Sequence, residues 1–189
     1  MLNRFRPFLK NILEPIAKNS NINPNLISLL SFLIAILSAV FIGYYNNLEL
    51  GSLFILLSGF FDVLDGAIAR YHNKTSKFGA ILDSSLDRFS DAIIIMGFIH
   101  GLYIDWFLGI LAIHSGFMVS YVRASSQSQG ISNDVGVAER AVRLIILIIS
   151  LVVGLFLNVD YIQFIIMFLV VISYFTVIQR LFHSYKHEK

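Results

Sequence analysis

The stretch from Asn19 to Leu48 contains no charged side chain, and this constrains the fold more than any other feature of the chain. About 20 apolar residues in a helix cross the hydrocarbon core of a bilayer. Pro24 stands where a first-turn proline would start such a helix, and Tyr44 and Tyr45 end it as an interfacial aromatic belt would. Further apolar segments follow. One starts near Leu50 and runs into Asp62, Asp65 and Arg70; another starts near Phe78 with Asp83, Asp87 and Asp91 and clears to Ile104. The last three cover Trp106 to Val122, Ala141 to Leu157 and Tyr161 to Ile178. Composition agrees: 57% of the 189 residues are hydrophobic and 14% charged, with a mean hydropathy of +0.75, whereas a soluble domain carries about 25% charged residues.

Ahead of the first span, Arg4, Arg6, Lys10 and Lys18 alternate with Phe5, Phe8, Leu9, Ile12, Leu13 and Ile16. That spacing predicts an amphipathic helix lying on the membrane surface, not a cleavable leader. The expected fold is therefore an all-α integral membrane protein, with an N-terminal surface helix over 1–18 and six transmembrane helices within 19–189. The connections Gly43–Ser52, His100–Trp106 and Gly154–Tyr161 hold no Lys or Arg. All basic residues fall at the N-terminus, around 70–88, around 123–143, or at Arg180, Lys186 and Lys189. The positive-inside rule then places both termini, and any site near those basic loops, in the cytoplasm of a multi-pass cell-membrane protein. The absence of cysteine excludes disulfides and thiolate chemistry. A net charge of +2 gives no reason to expect a nucleic-acid partner.

Ionisable residues inside membrane helices are costly and usually mark function. Here they come in pairs. Asp62 and Asp65 are three apart and Asp83 and Asp87 four apart, so each pair shares a helix face. The short connection from Tyr71 to Phe78 makes the two helices antiparallel neighbours, and the four carboxylates can converge. They need counter-charge: protonation, pairing with Arg70 and Arg88, or divalent cations. Two arginines leave a deficit, and two bridging Mg²⁺-type ions are the economical answer. Gly66 and Gly79 beside them would let a bulky ligand reach the backbone, and Arg70 could hold a phosphate in bidentate fashion. A divalent-cation transporter is the competing class, but it would spread acids along a path through the bilayer, and these gather at one level. Asp91, one turn beyond Asp87, is expected to pair with Arg88. The five histidines are scattered, with no ligand-like spacing.

Asp62-Val-Leu-Asp65-Gly66-Ala-Ile-Ala69-Arg70, followed by Gly79-Ala-Ile-Leu-Asp83-Ser-Ser-Leu-Asp87, resembles the DGxxAR…GxxxDxxxD motif of the CDP-alcohol phosphatidyltransferase family. The resemblance implies a metal-dependent enzyme that moves a phosphatidyl-type group from a CDP-linked lipid to an alcohol and releases CMP. It implies Asp62, Asp65, Asp83 and Asp87 as ligands of two Mg²⁺ ions, with Mn²⁺ as a substitute. Asp62 and Asp83 would bridge the ions, and Asp87 would take the proton of the acceptor hydroxyl. It further implies contacts to the CDP portion from Gly66, Arg70 and Ser76, with Thr75 beside them. Asn25, Leu26, Ile27 and Ser28 would touch the CDP-lipid, and the enzyme would work as a homodimer.

A phosphorylated acceptor needs basic groups next to the metals, and Arg123, Arg140, Arg143 and Arg180 fall at the same ends of their helices. Ser120-Tyr121-Val122-Arg123-Ala124 and Val135-Gly136-Val137-Ala138-Glu139-Arg140-Ala-Val-Arg143 resemble the inositol-phosphate-using branch of the family, which implies 1L-myo-inositol 1-phosphate as acceptor. The branch carries Arg-Ala/Ser-Arg-Ala-Glu-Gly-Leu-Gly where this chain has Arg123-Ala-Ser-Ser-Gln-Ser-Gln-Gly130, so glycerol 3-phosphate stays open as the alternative. Heavy use of Ile, Lys and Asn without Cys favours CDP-archaeol over CDP-diacylglycerol as the lipid.

Overall fold

The computed structural model describes residues 6–20 and 22–187, with side chains from residue 13 onward. The expected contributions of Arg4, Phe5 and Lys189, and of the side chains of Arg6, Phe8, Leu9, Lys10 and Ile12, lie outside the described residues. The described chain is entirely helical apart from its connections: α1 (Arg6–Asn19), α2 (Pro24–Gly43), α3 (Leu48–Tyr71), α4 (Lys77–His100), α5 (Trp106–Ser128), α6 (Arg140–Phe156) and α7 (Asp160–Lys186).

Short polar side chains start the helices. The Asn23 side chain accepts from the Asn25 N–H at 3.0 Å, and Asn47 accepts from Leu50 N–H at 2.9 Å. Ser76 accepts from Gly79 N–H at 2.9 Å, and Asp105 from Phe107 and Leu108 N–H at 2.9 and 3.0 Å. Each answers a backbone donor that the first helical turn leaves unpaired. The α6 helix has no such cap, because Glu139 in that position makes no side-chain capping bond.

Four of the helices, α2, α3, α5 and α7, are long and apolar enough to cross a membrane. The sequence predicts six. The α4 helix matches α3 in length, at 24 residues, but carries Asp83, Asp87, Arg88 and Asp91, and α6 has only 17 residues. At the N-terminus, Leu13 and Ala17 of α1 are buried with Ile27, Leu64 and Ile68, and the His72 ring nitrogen Nε2 lies 2.8 Å from the Ala17 carbonyl. The α1 helix thus packs against α3 and the α3–α4 connection.

The α2 helix packs against both α3 and α4, α5 against α7, and α6 against α3 and α7. Close approach comes from small residues. A Cβ on Gly97 of α4 would stand 2.8 Å from the Ala39 backbone of α2, so these two helices meet almost backbone to backbone. Ser31 donates to Ser58 O at 2.9 Å, Ser58 donates back to Ser31 O at 3.0 Å, and Ser38 donates to Gly51 O at 2.9 Å. Such interhelical bonds are worth roughly 0.6–2 kcal/mol each in an apolar medium. The main core, with Ile42, Ile55, Ile94, Phe98, Leu151, Ile162 and Ile166 fully buried, fixes α2, α3, α4, α6 and α7 against one another. That core holds the acidic faces of α3 and α4 opposite the start of α6.

Candidate active site and metal centre

Asp62 on α3 and Asp83 and Asp87 on α4 offer carboxylate oxygens that all lie within 4.8 Å of one another, each half-buried. The cause is local and tertiary together. A four-residue step puts Asp83 and Asp87 on one face of α4, and α2, which packs against both α3 and α4 where the short connection led us to expect those two to pack on each other, brings Asp62 to the same level. Asp65 stands apart from this trio. It is buried, at 5% exposure, and its carboxylate accepts a hydrogen bond from the Ser28 hydroxyl of α2. The oxygen-only trio suits a hard divalent cation, so Asp62, Asp83 and Asp87 could hold a metal in place of the Arg140 contacts that two of them make here.

A second group forms around the start of α4. A Cβ on Gly79 would lie 2.9 Å from Ser76 Oγ and 3.0 Å from Asn25 Oδ1. The structure therefore brings Asn25, Ser76 and Gly79 to one spot, and only glycine fits there without displacing the other two. Gly66 plays a similar part for Arg70, whose guanidinium approaches to 3.0 Å of the place a Cβ would occupy. Of the neighbouring candidates, Leu26 is exposed, and Ile27 is buried with Leu13, Ala17, Leu64 and Ile68. Thr75 is exposed in the connection.

Arg140 is the arginine that meets the acidic trio, on its α6 side. Arg140, the first residue of α6, places one Nη1 2.5 Å from Asp62 Oδ2 and 2.8 Å from Asp87 Oδ1, with its Nε 3.5 Å from Asp91 Oδ1. Arg143, one turn on and buried, donates to Asp91 Oδ2 at 2.6 Å and to the Ala138 carbonyl at 3.2 Å. Arg180 of α7, also buried, donates to Val135 O at 2.8 Å and Val119 O at 2.5 Å. Arg123 pairs with Asp134 at 2.5 Å on the surface. Arg123 and Arg143 are both within electrostatic range of Arg180, so a basic group adjoins the acidic one, and Asp91 joins them.

Asp91 corrects the sequence-based expectation. Its partners are Arg143 and Arg140, whereas Arg88 donates to the Ser84 carbonyl on its own helix. Asp91 lies on the α4 face turned toward α6, and the α6 guanidiniums reach it first. Its place in the four-residue series Asp83, Asp87, Asp91 was the available signal. The contacts of Thr176 with the α5–α6 connection, and of Asn133 in that connection with α7, had no comparable sequence signal, since lone Thr and Asn residues are unremarkable in any helix or loop.

The chain belongs to the CDP-alcohol phosphatidyltransferase family, whose profile matches residues 21–178. Among its relatives is the archaetidylinositol phosphate synthase of Methanothermobacter thermautotrophicus, 42% identical over 100% of this chain and 96% of the relative. The archaetidylinositol phosphate synthase of Pyrococcus horikoshii is 35% identical over 98% of this chain and 97% of its own length. In structure the chain resembles the phosphatidylinositol phosphate synthase PgsA1 of Mycobacterium tuberculosis with CDP-DAG bound. The TM-score is 0.81 at 26% identity, covering 93% of this chain and 94% of that one. The same synthase in complex with manganese and citrate also superposes with a TM-score of 0.81, covering 92% and 88% of the two chains at 26% identity.

Proposed function

We propose that the protein transfers the archaetidyl or phosphatidyl group of a CDP-linked lipid to 1L-myo-inositol 1-phosphate, releasing CMP. The observation that carries this reading is the acidic trio meeting Arg140, which shares Asp91 with Arg143. One half suits a metal and a diphosphate; the other suits an acceptor that brings its own phosphate. Two relatives named as archaetidylinositol phosphate synthases along nearly their whole length support both the acceptor and the archaeol lipid.

In this reading Asp62, Asp65, Asp83 and Asp87 hold two Mg²⁺ ions, or Mn²⁺ in their place. When bound, the metal supplies charge neutralisation of the diphosphate and polarisation of the phosphorus under attack. The chain's own groups do the rest. Asn25, Leu26, Ile27 and Ser28 at the start of α2, with Gly66, Arg70 and Ser76, seat the CDP-lipid, and the Gly66 and Gly79 backbones leave room for its phosphates. Arg123, Arg140, Arg143 and Arg180 bind the acceptor's phosphate and turn its free hydroxyl toward the diphosphate. Asp87 accepts the hydroxyl proton as the new P–O bond forms and the bond to CMP breaks. No Cys, and no Ser hydroxyl at hydrogen-bond distance from a His ring among the described residues, offers a covalent route, so a single in-line displacement is the simplest course.

The same reading makes 19–189 a six-span domain, with α4 and α6 crossing the bilayer behind the more apolar helices. Residues 1–18 form a surface helix, both termini and the site face the cytoplasm, and two copies pair as a homodimer. Asp83, Asp87 and Asp91 fit a crossing helix because they turn inward onto α3 and α6, whereas Arg88 bonds its own helix.

The test is CMP release by the purified protein from a CDP-linked lipid with Mg²⁺, acceptors supplied one at a time. Release is expected with inositol 1-phosphate and not with inositol, serine or glycerol 3-phosphate. A chelator abolishes it, and added Mg²⁺ or Mn²⁺ restores it. Release with glycerol 3-phosphate alone would keep the chemistry and replace the acceptor.

A further inference from the structure

The connection from α5 to α6 runs along α7 and is tied to it once per helical turn. Thr176, Arg180 and Ser184 are spaced by four, so they line one face of α7. At the far end, the Asn133 amide, fully buried in the connection, lies 3.0 Å from the Arg180 carbonyl and 2.9 Å from Ser184 Oγ. One turn back, Arg180 Nε donates to Val135 O at 2.8 Å. Another turn back, Thr176 Oγ1 accepts from Val137 N–H at 3.2 Å and from Ala138 N–H at 2.9 Å. Its own hydroxyl proton goes to Ile172 O at 2.9 Å, so every hydrogen-bonding role of the group is used. Gly136 has φ of +116°, and a Cβ there would stand 2.4 Å from Thr176 Cγ2. The connection is thus pressed onto the threonine as well as bonded to it.

The tie bears directly on the start of α6. Ala138, fully buried, is two residues before Arg140, and its carbonyl accepts from the Arg143 guanidinium at 3.2 Å. The α6 helix has no side-chain cap of its own, so its start is located from outside, by α7. We infer that Thr176 is a positioning residue for the acceptor: by holding Val137 and Ala138 it sets where α6 begins, and so where the Arg140 and Arg143 guanidiniums stand. The inference rests on the acceptor reading above for the identity of the substrate, but the contacts themselves do not. Thr176 touches no reacting group; its effect passes through the backbone of 135–139.

The test compares Thr176→Val, which keeps the shape and the methyl but removes the hydroxyl, with Thr176→Ser, which restores it. Three steady-state constants and one substrate-free readout are taken. In Thr176→Val the KM for inositol 1-phosphate rises about tenfold, the factor for a loss of one to two neutral hydrogen bonds. KM for the CDP-lipid and kcat change by less than about threefold, a difference of roughly 0.7 kcal/mol. Amide hydrogen exchange of the 135–143 peptide in detergent quickens about tenfold as its local opening becomes easier. Thr176→Ser returns both readouts to the wild-type range. Gly136→Ala, which pushes the connection off α7 from the other side, reproduces the pattern and serves if Thr176→Val does not accumulate. A structural role alone would lower the melting temperature and leave the acceptor KM unchanged; that result, or a parallel rise in the CDP-lipid KM, overturns the inference. If the wild type uses a different phosphorylated alcohol, the acceptor reading fails, while KM for that alcohol and the exchange rates still decide the role of Thr176.

Discussion

The acidic half of the site and the basic half are built in different ways. Asp62, Asp65, Asp83 and Asp87 occupy two helices joined by one short connection, and helical spacing puts each pair on one helix face. The arginines have no such shortcut. Arg143 finds Asp91 across 52 residues and Arg180 finds Val119 across 61, and the start of α6 is located by Thr176 of α7. A site made this way divides its labour: the local half can carry chemistry common to many acceptors, and the long-range half can be changed to choose among them. The contrast predicts that substitutions in the first half cost turnover and those in the second cost acceptor affinity.

The largest effect should come from Asp87→Asn. With the base lost and the other carboxylates kept, CMP release is expected to fall by about 10²–10⁴-fold, while CDP-lipid binding measured at equilibrium stays close to wild type. A near wild-type rate would remove Asp87 from the proton-transfer role. Next comes Arg143→Ala, which removes a buried, charge-assisted donor worth roughly 1.5–3 kcal/mol. It should raise the KM for inositol 1-phosphate by about 10–100-fold. Asp91→Asn should mimic it, and the double variant should fall well short of the product of the two, since both act through one contact. Strictly multiplicative effects would mean that Asp91 does not hold Arg143 for the acceptor.

The pairing of Asp91 shows where inference from sequence stops. Its position on the Asp83–Asp87 face was visible, but its partner was not, because the choice between Arg88 and Arg143 depends on where α6 starts. The acidic face, the helix order and most helix starts were legible because they follow from spacing and hydropathy. Within the charge-free stretch Asn19–Leu48, Pro24 and the Tyr44–Tyr45 pair marked the ends of the first span, and the helix is Pro24–Gly43, bounded by the Asn23 cap and the turn that brings in Asn46 at φ 50°. Six apolar segments read as six spans, yet only α2, α3, α5 and α7 are long and apolar enough alone. The α4 charges and the brevity of α6 belong to the site more than to the bilayer. Ile27 and Leu26 show the same limit at smaller scale: neighbours in one motif, one buried in a core and the other exposed.

Smaller effects sharpen the comparison further. Gly79→Ala would push Ser76 and Asn25 apart, and a rise of a few-fold in the KM for the CDP-lipid is expected with the acceptor KM unchanged, an effect of about 1 kcal/mol. Equal rises in both constants would place this spot outside the lipid half. Arg123→Ala should do least to stability, about 0–1 kcal/mol by thermal melting, because its pair with Asp134 is solvent-exposed. A drop in melting temperature as large as that of a buried variant would contradict its surface assignment.

The division of labour is tested most directly by titrating inositol 1-phosphate calorimetrically into Asp87→Asn protein saturated with CDP-lipid and Mg²⁺, with and without the added Arg143→Ala change. The account predicts binding by the turnover-deficient single variant, about 10–100-fold weaker binding by the double variant, and no binding of unphosphorylated inositol by either. Equal affinity of the two variants for inositol 1-phosphate would contradict it.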